Sequence, residues 1–579
     1  MRVAISILCL CVFSPTVLAF HVVDESLQPI PQVMVTRIAQ PVDIPLDEMG
    51  YLVQGKVAQA AITDTVFSDS TGKVDSMPGR LRLRKPGFRD VLLDPEQRPE
   101  SVVMTRASEQ QRVDEATSNL WLSQVNFGSD ELKSAFQLNC AFCHQQASAF
   151  MRVERSEQQW REVFERMNSY GARLAEDYFS PLASILRSEY TRLRAAPEVI
   201  PHAEPWAAEL SDWQQREWLI GDGFSQMHDL LLHPNGKVYV GDNLFDRIYE
   251  IDPDSGEYQV YKVPALPGAE PGGFLGNRFK RFPKIDNAMG VHSFAVSPVD
   301  GNIFITPSMQ QALLEFDVKT KRFTVHKMPG GYYPHTIRVD QLDRVWFTLA
   351  LSSQVAMYDR STGQFTLIDL PARNLKEALI IASLPAIFSL PPAIRPQPAP
   401  DEEGTGLPMP YGIDVTPDGS IWVARLYAND IARIDPKTLA VEMIDFPYRG
   451  PRRLRSDAAG KLWIVAFQDG LLVSYDPSTR QFEEYPLPVR NEIPYALNVD
   501  KVRGQVWVNG NQSDSLMRFD IASKTWLRVP LPRARFFSRD VEIDPDSGDV
   551  FTTNSHFPTW QSEGGVASLL RLKQEQATP

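Results

Sequence analysis

The 579-residue chain has only four cysteines. Two of them, Cys9 and Cys11, fall in an apolar N-terminal run, so any cysteine chemistry rests on Cys140 and Cys143. Past that run no stretch approaches the ~20 uninterrupted apolar residues that a membrane-spanning helix needs, so no transmembrane segment is expected. Basic residues are also in deficit, 59 Lys and Arg against 72 Asp and Glu for a net charge of −13. That balance argues against nucleic acid and against tight binding to anionic lipid, and it fits a cationic redox partner protein better; solubility alone would also account for it. Histidine is scarce too, at nine residues.

The N-terminus carries Arg2, the apolar stretch Val3 to Phe13, and then Val17-Leu18-Ala19, the small-residue pattern of a cleaved export signal. Residues 1–19 are therefore expected to be a signal peptide cleaved near Ala19, and the mature protein to be periplasmic. With 43% hydrophobic and 23% charged residues the remainder has the composition of a folded globular protein. Its length implies several units, and the pattern along the chain changes three times.

Residues 20–107 read as short strands at Phe20–Val23, Val33–Ile38, Ala60–Phe67, Leu81–Leu83 and Val91–Leu93, with turns at Asp69-Ser70-Thr71-Gly72-Lys73 and Arg84-Lys85-Pro86-Gly87-Phe88. This stretch resembles the carboxypeptidase regulatory-like β-sandwich, a scaffold or adhesive module, which implies no catalysis. Residues 112–205 switch to helical spacing, with Trp121, Leu122 and Val125, then Trp160, Val163, Phe164 and Met167. Ser156-Glu157-Gln158-Gln159 reads as a capping box and Gly171 as the stop of the same helix.

From 213 to 575 the chain repeats. A turn followed by an apolar strand recurs seven times, as in Gly236-Lys237-Val238-Tyr239-Val240, Gly419-Ser420-Ile421-Trp422-Val423 and Gly548-Asp549-Val550-Phe551-Thr552. Six copies are followed by an Asp-containing turn and a strand ending in proline, from Asp252–Pro264 to Asp520–Pro532. Repeats of about 40 residues built from short strands are what propeller blades require, because a single blade cannot bury both of its faces. The seventh copy lacks its outer strand, and Glu217-Trp218-Leu219-Ile220 is expected to supply it and close the ring. Insertions fall at about 265–287 and 372–409. Within the second, Leu375–Leu390 reads as an amphipathic helix that either lies over the ring's mouth or is simply a packed surface helix. The expected fold is thus multidomain and mainly β: an N-terminal β-sandwich, a small all-α cytochrome c-like domain and a C-terminal seven-bladed β-propeller.

The motif with the most specific chemistry is Cys140-Ala141-Phe142-Cys143-His144. Two thiols one helical turn apart can both form thioethers to haem vinyl groups, and the adjacent His144 turns its imidazole to the iron. A disulfide or a zinc half-site is the alternative. Zinc would need further nearby Cys or His, and a redox Cys-x-x-Cys belongs to a thioredoxin-like βαβ pattern. One covalently bound haem c is therefore expected. For the sixth ligand Met151 is too close, and Met167 is better placed, resembling small cytochrome c domains whose following helix presents a methionine. His202 and an open site are the alternatives, and Met167 on an apolar helix face reads equally well as core.

The residues before each blade's first strand should line the central channel. Three consecutive blades put His228, His292 and His335 there, and later blades put Tyr411, Arg453, Tyr495 and Arg539 at about the same place. Three aligned histidines point to a site, with a divalent metal at the propeller centre as a candidate. The repeats, with Pro-His-x-Ile and Val-Trp-Phe-Thr patterns, resemble the virginiamycin B lyase propellers over about 350 residues. That resemblance implies metal-assisted opening of a cyclic ester, with histidines and a glutamate that follows one blade histidine at the end of the Trp-Phe-Thr strand. Here those positions are Leu349 after His335 and Thr306 after His292, and only Asp242 after His228 keeps a carboxylate. Three readings follow: an oxidoreductase passing electrons from a small-molecule substrate or metal in the channel to the haem, through His228, His292, His335, Asp242, Arg453 and Arg539; a non-catalytic electron-transfer and docking protein; and a lyase with an accessory haem.

Overall fold

The protein is described by a computed structural model covering residues 19–40, 42, 45, 47, 53, 55–97, 99–282, 285–391, 394–395 and 407–575. The expected signal peptide lies, up to residue 18, outside these residues, as does part of the second insertion. The chain is mainly β, and its largest element is a seven-bladed propeller. Six blades are consecutive four-stranded antiparallel sheets whose first strands are Met227–Leu232, Val291–Val296, Pro334–Val339, Pro410–Val415, Pro451–Ser456 and Leu497–Asp500. In the seventh, Val541–Ile543, Val550–Asn554 and Ser568–Gln574 are completed by Trp213–Leu219, paired from Ser568↔Leu219 to Gln574↔Trp213. The strand expected at Glu217–Ile220 closes the ring, starting four residues earlier, at Trp213.

The repeat pattern has a direct packing cause. Second strands such as Ile421–Arg425 and Leu462–Ala466 are buried at every position, because neighbouring blades cover both faces, so they read as unbroken apolar runs. The outermost strands meet solvent; Arg322–Lys327 has no buried residue. The recurrent aspartates cap the turn between third and fourth strands with their own carboxylates. Asp317 accepts from the amides of Lys319 and Thr320 at 2.9 and 3.0 Å, and Asp435 from Lys437 and Thr438 at 2.8 and 2.9 Å.

The N-terminal strands form two sheets around a core that includes Phe20, Val22, Val33, Val35, Leu81 and Leu83. One sheet is three-stranded, in the order Lys73–Asp75, Ala19–Val23, Ser101–Val103. The other is not separate. Ala61–Phe67 pairs with the outer edge of blade seven, Ala61↔Leu219 to Thr65↔Gln215, and Met34–Arg37, Leu81–Arg84 and Val91–Leu93 continue it into one eight-stranded sheet. The expected free-standing sandwich thus shares a sheet with the propeller, and Ala58–Gln59 adds a fifth strand to blade one. Edge strands carry unpaired amides and carbonyls, and both joins satisfy them. Glu563 locks this junction by pairing with Arg82 and, at 3.0 Å, with Arg84.

Between these parts lie five helices, Glu109–Glu115, Ser118–Leu122, Asp130–Cys140, Glu157–Tyr170 and Phe179–Ala195, on a core centred on Trp121, Trp160 and Tyr190. The capping box forms as expected: Gln159 N–H donates to Ser156 Oγ at 3.2 Å and Ser156 N–H to Gln159 Oε1 at 2.8 Å. Gly171 ends that helix at φ 116°.

The helix expected in the second insertion spans Leu375–Ser389, and it is not amphipathic. Leu384 is buried and Phe388 packs on Tyr332 and on Phe274 of the first insertion, at 4.5 and 5.1 Å between centroids. Its outward residues Leu375 and Leu379 are also apolar and are 74% and 62% exposed. Tyr332 adjoins Tyr333, whose ring stands 6.0 Å from His335, so the helix flanks the channel mouth.

Candidate functional site

Strand register fixes which residues face the channel. In blades one to five the first strand opens on a pair, Met227↔Asp242, Val291↔Pro307, Pro334↔Leu349, Pro410↔Arg425 and Pro451↔Ala466, followed in each case by a bulge. The next residue is His228, His292, His335, Tyr411 and Arg452, and the same count from Leu497↔Val508 and Val541↔Thr552 gives Tyr495 and Arg539. A second tier one residue on holds Asp229, Ser293, Thr336, Gly412, Arg453, Ala496 and Asp540. Arg453 therefore belongs to the second tier, with Arg452 in the ring position expected for it. The same register puts Pro307, not Thr306, at the strand end after His292.

The first tier is a continuous arc of closely packed, mutually tilted rings. His228 and His292 have centroids 3.8 Å apart, His292 and His335 4.0 Å, and His335 and Tyr411 3.8 Å. Tyr411 and Tyr495 share a hydroxyl hydrogen bond of 2.6 Å. Arg452 donates to the Tyr411 hydroxyl at 2.6 Å and Arg539 to that of Tyr495 at 2.8 Å. Burial raises both phenols. Arg452, Arg539 and the bond from Tyr411 outweigh it for Tyr495, which lies below the usual range, while Tyr411 stays well above it. Tyr495 is therefore the more acidic phenol of the pair.

Burial dominates the histidines. His228 is pulled down to about 4, and His292 and His335 lie well below the ordinary imidazole value, with neighbouring histidines and Arg453 adding to the effect. All three are neutral near pH 7, the form that binds metals and accepts protons. His228 Nδ1 lies 2.8 Å from Asp229, and Arg453 Nη2 bonds both Asp229 oxygens at 3.1 and 3.2 Å. Arg453 holds the Asp229 carboxyl far below its usual range against the upward pull of burial. Asp540, 3.9 Å from the same guanidinium, is pushed up to about 8 by burial and by Asp229.

The carboxylate beside His228 is accordingly Asp229. Asp242 is occupied elsewhere, accepting from the amides of Gln226 and Leu244 at 3.1 and 3.3 Å. Among the described residues one group of three has metal-ligating atoms all within 4.8 Å of one another, and it is His228, Asp229 and His292. His335 is not part of it; its Nδ1 faces Thr336 and the Tyr411 carbonyl at 2.9 and 3.3 Å.

The segment Cys140–His144 packs on the mouth of this channel. Leu138, Ala141 and Phe142 join one apolar cluster with Tyr411, Tyr427, Phe467, Tyr495 and Phe537. Phe142 lies 5.6 Å from Phe467, and the Arg452 guanidinium sits over Phe142, Tyr411, Phe467 and Tyr495 at 4.3, 4.4, 4.5 and 3.4 Å from their centroids. The sequence motif and the channel arc thus meet at Arg452, which is fully buried.

The local fold suits covalent attachment. Cys140 ends the helix Asp130–Cys140, and both thiols are free. Burial and Cys143 push the Cys140 thiol up to about 12. Cys140, Cys143 and His144 do not appear in the metal-ligating group of the described residues. His144 Nδ1 is tied to the Gln145 carbonyl at 2.8 Å, which leaves Nε2 as its free end. Buried nitrogens of Arg278, Arg452 and Arg539 have no hydrogen-bond partner, and Arg539 acts electrostatically on Cys143. Unpaired buried guanidinium donors beside the motif suit the carboxylates of a haem.

Met167 and Cys140 both pack, partly buried, against the helical core around Trp160 and Phe164. His556 was not picked out by sequence. It follows blade seven's second strand, its ring centroid is 5.9 Å from that of His144, and Phe557 N–H donates to the Cys143 carbonyl at 2.9 Å. Its one sequence signal is the loop Ser555–Ala567, longer than the corresponding turn of the other blades.

No protein-family model matches the chain, and no curated protein does. Solved structures do. A virginiamycin B lyase from Staphylococcus aureus is 14% identical with a TM-score of 0.47, over 62% of this chain and 99% of the other. A streptogramin B lyase is 16% identical with a TM-score of 0.46, over 62% and 98%. The likeness is one of propeller architecture.

Proposed function

We propose that this is an exported c-type haem protein, of oxidoreductase type, in which Cys140, Cys143 and His144 hold the haem against the mouth of a His-lined propeller channel. The observation that carries the reading is the direct packing of Phe142, inside the haem motif, on the Arg452–Tyr411–Tyr495 cluster that continues the His228–His292–His335 arc. A haem bound there supplies one-electron transfer, the outlet that a redox site in the channel requires.

The protein's own groups divide the remaining work. His228, Asp229 and His292 form the candidate site for a divalent ion or a polar substrate atom. Arg453 keeps Asp229 ionised, and Asp540 in its neutral form can donate. The Tyr411–Tyr495 hydroxyl pair is held between the Arg452 and Arg539 guanidiniums. Ring packing and burial exclude bulk water from the whole arc, which strengthens every charge interaction inside it.

The lyase alternative lacks its carboxylate base: the strand-end positions hold Pro307 and Leu349, and Asp242 is engaged by backbone amides.

The test is a substrate panel read by the haem's visible spectrum under anaerobic conditions. Reduction by one class of small molecule, lost in the triple variant His228→Gln, His292→Gln, His335→Gln while dithionite still reduces the haem, is the expected result. Reduction that is unchanged in the triple variant would remove the channel from the reaction.

A further inference from the structure

We propose that His556, carried by the propeller, is the sixth ligand of the haem iron whose fifth ligand is His144. This inference rests on the haem reading above, and it assigns a residue outside the helical segment that carries the motif.

The geometry has three independent parts. The first is spacing. With metal–nitrogen bonds of about 2 Å and about 1 Å from ring centre to nitrogen, two imidazoles on opposite sides of one iron have centroids about 6 Å apart. The His144 and His556 centroids are 5.9 Å apart and their planes differ by 35°. The His228–His292–His335 rings, by comparison, pack at 3.8 and 4.0 Å.

The second part is the state of the nitrogens. His144 Nδ1 faces the Gln145 carbonyl at 2.8 Å and His556 Nδ1 faces the Pro558 carbonyl at 3.3 Å. Donation to a backbone carbonyl fixes the tautomer in which Nε2 carries the lone pair, the arrangement that orients a ligating histidine. His556 Nε2 is buried and has no hydrogen-bond partner, an orphan that needs an occupant.

The third part is the setting. Phe557 next to it packs on Phe279 and Phe282 of the first insertion at 5.3 and 5.6 Å, and Tyr170 stacks on Phe279 at 5.7 Å. An apolar aromatic wall of this kind suits the face of a macrocycle, not a hydrated ion. Cys140, Cys143, His144 and His556 also form no group with ligand atoms all within 4.8 Å of one another, so they do not close on a single small ion, whereas a macrocycle holds its attachment points apart. His556 is itself held in place: its N–H donates to Asn554 Oδ1 at 3.2 Å and its carbonyl accepts from Thr559 Oγ1 at 2.9 Å. The two iron ligands thus come from different parts of the fold, so the haem bridges helices and propeller.

The experiment uses the full-length, haem-loaded protein in the ferric state, read by electron paramagnetic resonance and near-infrared magnetic circular dichroism. The wild type is expected to be low-spin with a bis-imidazole signature and no thioether-to-iron band. His556→Ala is expected to lose that signature and turn high-spin, with covalent haem content unchanged, and added imidazole to restore it; Met167→Ala is expected to match the wild type. The assignment is overturned if His556→Ala keeps the wild-type spectrum, or if a thioether band is present and vanishes in Met167→Ala. A wild type without covalent haem overturns the haem reading beneath it, and the haem assay run on every sample separates the two failures. Imidazole rescue separates loss of a ligand from misfolding.

Discussion

The charge pair at the channel's second tier makes a quantitative prediction. Arg453 is the only described cation that bonds Asp229, and the side chains of Arg453, Asp229 and Asp540 are 0%, 1% and 4% exposed. Replacing Arg453 with Met keeps the volume and leaves Asp229 ionised and uncompensated in the interior at pH 8. Breaking a buried pair in this way costs about 3–5 kcal/mol, far more than the pair's net contribution to folding. The loss depends on pH in a definite direction. Without Arg453 the Asp229 carboxyl in the folded state rises above its unfolded value near 4, so the folded variant binds a proton that the unfolded chain does not. Its penalty is therefore full at high pH and shrinks on acidification, by about 1.4 kcal/mol per pH unit below the raised value. The assay is urea denaturation followed by tryptophan fluorescence, taking the propeller transition, at pH 8 and pH 5.5. Adding Asp229→Asn to Arg453→Met should recover most of the loss, a coupling that a double-mutant cycle measures directly. A penalty under about 1 kcal/mol at pH 8, or one that is independent of pH and additive with Asp229→Asn, would refute the reasoning.

Other consequences are checked more simply. His228 titrates at about 4 in the folded protein against an unfolded value near 6.5, so its contribution is fully present above pH 6.5 and is lost as pH falls toward 4; about 3 kcal/mol of acid destabilisation should disappear from the pH profile of denaturation midpoints in His228→Gln. At Gly412 a Cβ would stand 2.8 Å from the Arg452 carbonyl oxygen, 2.9 Å from Arg453 Cα and 3.0 Å from Leu454 N, all backbone atoms that cannot swing aside. Gly412→Ala should cost about 1–3 kcal/mol, read as a fall in Tm, whereas Gly363→Ala, whose Cβ meets nothing within 4 Å, should show only the smaller strain of its positive φ. At the N-terminal junction, burial raises the Glu563 carboxyl but Arg84 and Arg82 hold it at about 2; Glu563→Gln should speed limited proteolysis within residues 19–107 and leave the propeller resistant.

Much of the propeller was legible because each blade's second strand is covered on both faces and so reads as an unbroken apolar run behind a Gly or Asp turn. The closing strand was legible for the same reason, by its absence from the seventh copy. The merger of the N-terminal strands with blade seven was not, because edge pairing uses backbone groups and leaves little side-chain signature. Asp64 and Arg216, 2.7 Å apart across that seam, are 152 positions apart in sequence. In the site, His228, His292 and His335 repeat at one blade position, and scarcity made them visible. The choice between Arg452 and Arg453, and between Asp229 and Asp242, turns on a bulge that shifts the register by residues no spacing rule counts. His556 escaped because it sits in the loop after a blade's second strand, not at the repeated position, and its meaning depends on proximity to His144.

The central claim is that Cys140 and Cys143 bind haem covalently at the channel mouth. Its most direct test is acid–acetone extraction followed by an alkaline pyridine spectrum of the full chain matured in a host that attaches c-type haem. The account predicts one haem per chain that resists extraction, with the spectrum of a doubly thioether-linked haem, and no retained haem in Cys140→Ala, Cys143→Ala. A chain that is folded and carries no haem, or that gives all of it up to the solvent, would contradict it.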